Sequence, residues 1–275
     1  MRAKIRAKLY RAAVYAGAAF SVGVLVLIVG YILWKGVPHI TPELFAWEYN
    51  SSNVSMLPSV INTLLMTILS LIVCVPLGIG AAIYLTEYAK RGSKLVKLVR
   101  MTAETLSGIP SIIYGLFGAL FFVVALKMGL SLLSGALTLS IMVLPTIMRT
   151  TEEALLAVPD SFREGSFGLG AGRLRTTFKV VLPSAIPGIL SGVILAIGRI
   201  VGETAALIYT AGTVPKIPSS LLNSTRTLAV HMYTISTEGL YIDQSYATAV
   251  VLLVLVLAIN SMSAFIAKRL GGKRA

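Results

Sequence analysis

Two ionisable residues stand inside a long apolar run, in the order Gly198-Arg199-Ile200-Val201-Gly202-Glu203-Thr204. Arg199 and Glu203 are four residues apart, so a helix through this run puts both on one face. At about 1.5 Å rise per residue, Arg199 lies roughly 24 Å beyond Pro183, past the midplane of a bilayer if the helix stands upright. An ionised side chain at that depth costs on the order of 3 kcal/mol on insertion scales, so neither residue is expected to face lipid. A guanidinium stays charged there and offers planar, paired donors, which suits it to an oxyanion. Glu203 then either holds Arg199 in place or keeps anion affinity low enough for release. The plainer alternative is a self-contained ion pair that only fixes helix packing. Arginine N-terminal to glutamate is the weaker order for such a pair, which favours separate partners. Gly198 with Gly202, and Gly188 with Gly192, form small-x-x-x-small faces that let another helix approach closely.

The elements that position these residues are membrane spans. Of 275 residues, 56% are hydrophobic and 13% charged, with a mean hydropathy of +0.85; soluble domains carry about 25% charged residues. Six apolar runs approach the ~20 residues a bilayer requires: 12–34, 58–86, 107–127, 132–149, 184–210 and 245–267. The first exceeds the ~7–15 residues of a signal-peptide core and is expected to remain as an anchor. Pro76-Leu77-Gly78 predicts a kink or tilt in the second. Basic residues gather at one side of these runs. Arg2, Lys4, Arg6, Lys8 and Arg11 precede the first, and Lys90, Arg91, Lys94, Lys97 and Arg100 fill a short loop between the second and third. Arg149, Arg163, Arg173, Arg175 and Lys179 lie between the fourth and fifth, and Lys268, Arg269, Lys273 and Arg274 follow the last. On the opposite side, Lys35, Lys127, Lys216 and Arg226 are offset by Glu43, Glu48, Glu238 and Asp243. The positive-inside rule places both termini and the 150–183 loop in the cytoplasm. Topology thus accounts for the net charge of +13, and no nucleic-acid partner is required.

The chain divides into a basic tail, first helix and outward loop (1–57), a membrane domain (58–268) and a basic C-terminal tail (269–275). Residues 211–244 make a long outward loop, longer than a minimal connection. Cys74 stands alone in an apolar run, with His39 and His231 far apart, so neither a disulfide nor a metal cluster is expected. No G-x-x-x-x-G-K-[ST] phosphate loop occurs, and no catalytic constellation lies at either face. The chain reads as a non-enzyme that binds no ATP.

The loop between the fourth and fifth runs carries its own local signals. Pro159 stops the preceding helix, and Ser161 with Glu164 fits the S-x-x-E capping box, predicting a short helix from about Phe162 to Leu169. Gly168, Gly170 and Gly172 permit a tight turn, after which Arg173–Val181 resumes helix towards the fifth span. Phe162, Phe167 and Leu169 are large apolar residues in a segment that should be wet. They suit a short helix docking into a partner's groove, or else packing on the protein's own inner face.

Glu164-Gly165-Ser166, Gly170 and Val180-Val181-Leu182-Pro183 resemble the E-A-A-x3-G-x9-I-x-L-P loop of ATP-binding-cassette importer permeases. Gly165 and Ser166 stand for the two alanines, and Val180 for isoleucine. Further stretches are similar to phosphate-importer permeases of the PstA type. These are Ile83-Tyr84-Leu85-Thr86-Glu87-Tyr88, Ile109-Pro110-Ser111-Ile112-Ile113-Tyr114-Gly115-Leu116, Arg149-Thr150-Thr151-Glu152 and the Arg199–Thr204 segment. The resemblance implies a type I importer permease of MetI-like architecture: all-α, integral to the membrane, with six transmembrane helices. It also implies a bacterial or archaeal cytoplasmic membrane and a helix, here around Ser161, Phe162, Glu164, Phe167, Leu169 and Gly170, that inserts into the ATPase. Implied partners are a PstC-type permease, a PstB-type ATPase pair using ATP and magnesium, a PstS-type phosphate-binding protein, and phosphate itself. Arg199, Glu203 and Arg149 fall on positions linked to anion passage in that family; interface anchoring is the alternative for Arg149. Ala206 stands where the family often has proline, which predicts a straighter outer end of the fifth span. Importers of molybdate, tungstate or sulfate, or a non-transporting sensory or scaffold subunit, are the competing readings.

Overall fold

The six apolar runs become helices, but two of them break where a proline or glycine interrupts the ladder. The computed structural model describes the backbone of residues 2–90 and 92–271 and the side chains of residues 10–90 and 92–265. Arg2, Lys4, Arg6, Lys8, Arg91, Lys268, Arg269, Lys273 and Arg274, used above for orientation, lie outside the described side chains, as does the 269–275 tail. Among the described residues every regular element is helical. Among the described residues five helices are long and apolar enough to cross a membrane, or six where a sharply bent pair is taken as one span. The chain is an all-α, multi-pass membrane protein.

Helix α1, Arg2–Gly36, carries the first run. Its side chains from Tyr10 to Ile28 are all exposed. It meets the body near its end, where Tyr31 packs edge-on against Tyr246 at 5.9 Å and Gly36 abuts Tyr246 and Val250. The packed centre is formed by α2 (Leu57–Ile83), α5 (Leu132–Leu156) and α8 (Leu182–Val201). Met66, Cys74, Leu139, Met142, Ile147, Ala196 and Ile200 are buried among them. Ser140 donates to the Ser70 carbonyl at 3.0 Å, and Ser70 to that of Ala136 at 3.2 Å, so the α2–α5 contact is polar as well as apolar. Gly188 and Gly192 act as expected: a Cβ on Gly188 would meet that of Ala154 at 2.6 Å, and one on Gly192 would strike Thr150. The Gly198–Gly202 face does not bring another helix as close, Asn260 Oδ1 standing 4.0 Å from a Cβ at Gly198. α2 passes through Pro76 as one helix and ends in a π turn, Tyr84–Tyr88.

The third run is not one rod. α3 (Lys94–Ser107) and α4 (Ser111–Gly118, prolonged by a π stretch to Ala125) meet at 103°. Pro110 has no amide to donate and keeps Ile109 from helical backbone, so the chain turns there. Most of the segment expected as a short basic loop is therefore helix α3.

α5 begins at the Ser131 cap, whose side chain accepts from the Ser134 amide at 3.2 Å. It runs to Leu156, beyond the expected end near 149, so Arg149 is a helical residue. The inner loop then holds α6 (Asp160–Gly168) and α7 (Arg173–Thr176), which continues through a π turn, Thr177–Val181, into α8. The fifth run, expected as one helix over 184–210, also differs. α8 stops at Val201, and α9 (Ala205–Thr210) restarts after Gly202-Glu203-Thr204. The outer end of this span is broken rather than straightened. The expected loop 211–244 contains α10 (Leu228–Glu238) and the start of α11 (Ile242–Gly271). Its first part also caps α5, for the Leu132 and Leu133 amides donate to the Asn223 and Leu221 carbonyls at 3.0 and 2.9 Å.

Candidate functional site: an inner-face helix and a broken span

α6 starts one turn from the end of α5, and its start differs from the sequence expectation. Pro159 is the cap, with φ −57° and ψ 139°, and no side chain caps the helix. The Ser161–Glu164 capping box does not form, because the extended Pro159 already begins the helix at Asp160 and leaves Ser161 inside the first turn. The far end matches expectation. Leu169 closes α6, and Gly170 follows at φ +82°, the left-handed position that glycine occupies without steric cost. The Gly170 and Ala171 amides donate to the Phe167 and Ser166 carbonyls at 2.9 and 3.1 Å.

No side chain of α6 is buried. Phe162 is 49% exposed, Phe167 47% and Leu169 91%, and Glu164 is exposed. The apolar residues of this loop thus do not pack away on the protein's own inner face. They stay about half or more uncovered on a helix outside the packed centre of the membrane domain.

What holds α6 was not picked out from sequence. The Arg163 guanidinium donates to Glu87 from Nη2 at 2.7 Å and Nε at 3.2 Å, to the Leu155 and Val158 carbonyls at 2.9 and 2.8 Å, and to Asp160 at 3.2 Å. Leu155 lies in the last turn of α5, where helix carbonyls lack α-helical donors, and Val158 lies in the link to α6. Ser166 and Thr176 hydroxyls meet at 2.8 Å and tie α6 to α7. Arg163 and Glu87 are 76 positions apart, so no local pattern pairs them; Arg163 was visible only as one more inner-side cation.

Arg149, on α5, pairs with Glu153 at 3.1 Å, both well exposed. Its neighbour Glu152 is nearly buried and pairs with Arg100 of α3. These four residues line a cavity of about 300 Å³ between α3 and α5. Arg149 is therefore on the inner half of the chain, on a different helix from Arg199.

Arg199 lies in the last turn of α8, half-buried. Among the described residues it makes no ion pair. The expected shared face with Glu203 is lost, because the helix ends between them. Gly202 is a poor helix former, and the Glu203 carboxylate is engaged elsewhere: Oε1 accepts from the Ala206 amide at 3.0 Å, capping α9. Glu203 is 8% exposed. The arrangement leaves a cation without a carboxylate partner beside an interruption in the span.

A second buried cation lies at the opposite end from α6. Arg226 is 3% exposed, and its guanidinium sits 4.6 Å over the Tyr49 ring. Tyr49 also meets His231 edge-on at 6.0 Å. Burial, reinforced by the Arg226 charge, pushes the His231 imidazole down to about 3. Both residues fall in the stretch expected as the outward loop 211–244, where no pattern marks them as buried.

Residues 74–272 match the model of the binding-protein-dependent transport system inner membrane component family. Over 241 residues the chain is 34% identical to the probable ABC transporter permease protein YqgI of Bacillus subtilis (strain 168), covering 82% of each. Over 210 residues it is 35% identical to the phosphate transport system permease protein PstA of Pasteurella multocida (strain Pm70), covering 76% of this chain and 74% of that one. The fold matches a chain of the MetNI methionine ABC transporter in an inward-facing conformation, with a TM-score of 0.61 at 21% identity, over 78% of this chain and 93% of that one. The MetI-like permease architecture is thus the fold of this protein, and the chain belongs to the binding-protein-dependent transport system inner membrane component family.

Proposed function

We propose that this chain is the A-type permease subunit of an ATP-driven inorganic phosphate importer in a bacterial or archaeal cytoplasmic membrane. The observation that carries the reading is Arg199, a half-buried cation within a span that has no carboxylate partner among the described residues. An arginine so placed is electrostatically incomplete, and a passing phosphate dianion completes it with paired charge-assisted hydrogen bonds. Similarity to PstA over most of the chain supports phosphate as that anion. Glu203, capping α9, keeps the break in shape and adds negative charge nearby, which limits how long the anion stays. Arg149 provides a further cation on the inner half.

α6 is the docking element for a separate ATPase subunit. Its exposed Phe162, Phe167 and Leu169 fit a partner groove, and Glu164 stands exposed beside them. ATP and magnesium belong to that subunit. The second permease and the phosphate-binding protein complete the assembly. In proteoliposomes holding the full complex, Arg199→Gln is expected to assemble normally and lose phosphate uptake by about a hundredfold, the effect of leaving a charged ligand without its main partner. Unchanged uptake in the assembled variant would refute the pathway role. Competition by unlabelled molybdate or sulfate that matches that of phosphate would instead assign another oxyanion. ATP hydrolysis without movement of any oxyanion would favour a sensory subunit.

A further inference from the structure

We propose that Arg163 and Glu87 clamp α6 to the inner end of α2, so that force applied to α6 enters the membrane domain through α2 as well as through its chain neighbours. The inference rests on the reading of α6 as the ATPase-docking helix. Along the chain, α6 leads back to α5 and forward to α8; it has no covalent route to α2. None of its side chains is fully buried, and among the described residues its other side-chain hydrogen bond beyond the helix is the Ser166–Thr176 hydroxyl contact with α7 at 2.8 Å.

Arg163 supplies what is missing. Its side chain is 16% exposed and that of Glu87 9%, so the pair is largely withdrawn from solvent screening. The guanidinium fork spans three segments at once: Glu87 at the end of α2, the carbonyls of Leu155 in the last turn of α5 and of Val158 in the link after it, and Asp160 at the start of α6. Glu87 lies in the π turn Tyr84–Tyr88. A π turn inserts a residue into the helical repeat and redirects the side chains after it, a feature enriched at functional positions. Withdrawing one member of such a pair leaves the other charged and underpartnered, so the link resists parting more than an exposed ion pair does. Arg163 is thus a positioning residue. It touches neither the transported anion nor the ATPase, and it decides which spans move with α6.

The test uses the complete transporter in proteoliposomes, measuring inorganic phosphate uptake and ATP hydrolysis in the same vesicles. In Glu87→Gln and Arg163→Met, the ATPase subunit is expected to copurify as in the wild type and hydrolysis to stay within about twofold. Phosphate moved per ATP is expected to fall by at least about tenfold, with Arg163→Lys in between because it keeps the charge and loses the fork. An assembled Glu87→Gln transporter with an unchanged phosphate-to-ATP ratio overturns the clamp. Should the variants fail to assemble, spin labels on cysteines placed at Lys90 and Gly168 of the otherwise wild-type chain give a second measurement, since the native Cys74 is buried. A clamped pair gives one inter-label distance distribution in nucleotide-free and ATP-bound states, whereas a distribution that moves with nucleotide overturns the proposal. If the wild-type chain does not retain the ATPase subunit, the docking reading itself has failed. If it couples normally while Glu87→Gln keeps its ratio, the clamp alone has failed.

Discussion

Leu169→Ala tests the proposed docking of α6 through the energy of one side chain. Leu169 is 91% exposed at the end of α6, so almost the whole side chain is free to be buried by a partner. Fully burying a leucine side chain is worth about 1.5–3 kcal/mol. Alanine keeps only the β-carbon, and a loss of about 2 kcal/mol corresponds to roughly 30-fold in affinity at about 1.4 kcal/mol per tenfold. Phe162 and Phe167 are each about half as exposed, and alanine there is expected to cost less apiece. The assay is binding of the purified ATPase subunit to the permease pair in nanodiscs, at fixed salt. Because Leu169 lies almost wholly outside the protein's own packing, the unfolding midpoint of the free permease is expected to stay put. Leu169→Met, which conserves volume, is expected to bind within about threefold of wild type. The reasoning is refuted if Leu169→Ala binds as wild type does. It is refuted equally if Leu169→Ala weakens binding only as much as it lowers the permease's own stability.

Three further outcomes follow from the same structure. Gly170→Ala places a β-carbon at φ +82° and is expected to cost about 1–2 kcal/mol, seen as faster amide hydrogen exchange across α6, with Gly170→Asn closer to wild type. Gly192→Leu drives a side chain into Thr150 of α5 and is expected to destabilise the α5–α8 contact by about 1–3 kcal/mol, read as a lowered unfolding midpoint in nanodiscs, while Leu195→Ala, at a position 63% exposed, shifts it much less. His231 is held neutral when folded, with burial pushing its pKa down to about 3 from the ordinary 6.5 of a histidine. The unfolded chain therefore binds the extra proton first: the stability contribution is complete above about pH 6.5 and is lost towards pH 3, at up to about 1.4 kcal/mol per pH unit. Unfolding at pH 7.5 and pH 5 should differ accordingly, and His231→Gln should flatten the dependence.

Hydropathy located every span because bilayer burial is a composition requirement, and a run of apolar residues satisfies it whether or not the helix is straight. That same tolerance hid the breaks. Gly108-Ile109-Pro110 and Gly202-Glu203-Thr204 both sit within or beside apolar runs, where a window average passes over three residues. Pro110 falls inside the run read as 107–127, where the apolar count alone carries no sign of a turn. The S-x-x-E pattern at Ser161 failed for a related reason. Capping boxes and extended prolines compete for the same helix start, and Pro159 sets its own backbone first. Gly170 was legible because a single residue's permitted φ decides its role. Arg163 with Glu87, and Arg226 over Tyr49, were not, because each joins residues from distant parts of the sequence whose meeting depends on the whole helix packing.

The break after Val201 alters how the inner loop and Arg199 are connected. From Arg173 to Val201 the chain is helical without interruption, 29 residues, or about 44 Å at 1.5 Å per residue. One end of that rod joins the α6 turn at Gly170–Gly172, and the other carries Arg199 two residues before it stops. Had the helix continued to Thr210, any displacement at the inner end would have had to move the outer segment as well, against the α4 and α5 side chains that pack α9. With Glu203 capping a separate α9, the outer segment can stay in place while the rod tilts or turns beneath it. With no helical ladder across residues 202–204, the two halves are not held as one rigid rod. Under the proposed coupling through α6, Arg199 belongs to the rod that would move and Glu203 to the start of α9 beyond the break. The distance between the two charges is then the quantity that changes as α6 is pushed. Joining the rods again, with Gly202→Ala and Glu203→Ala together so that the Ala206 amide loses its side-chain acceptor, is expected to leave ATPase binding intact and to suppress uptake more than either change alone.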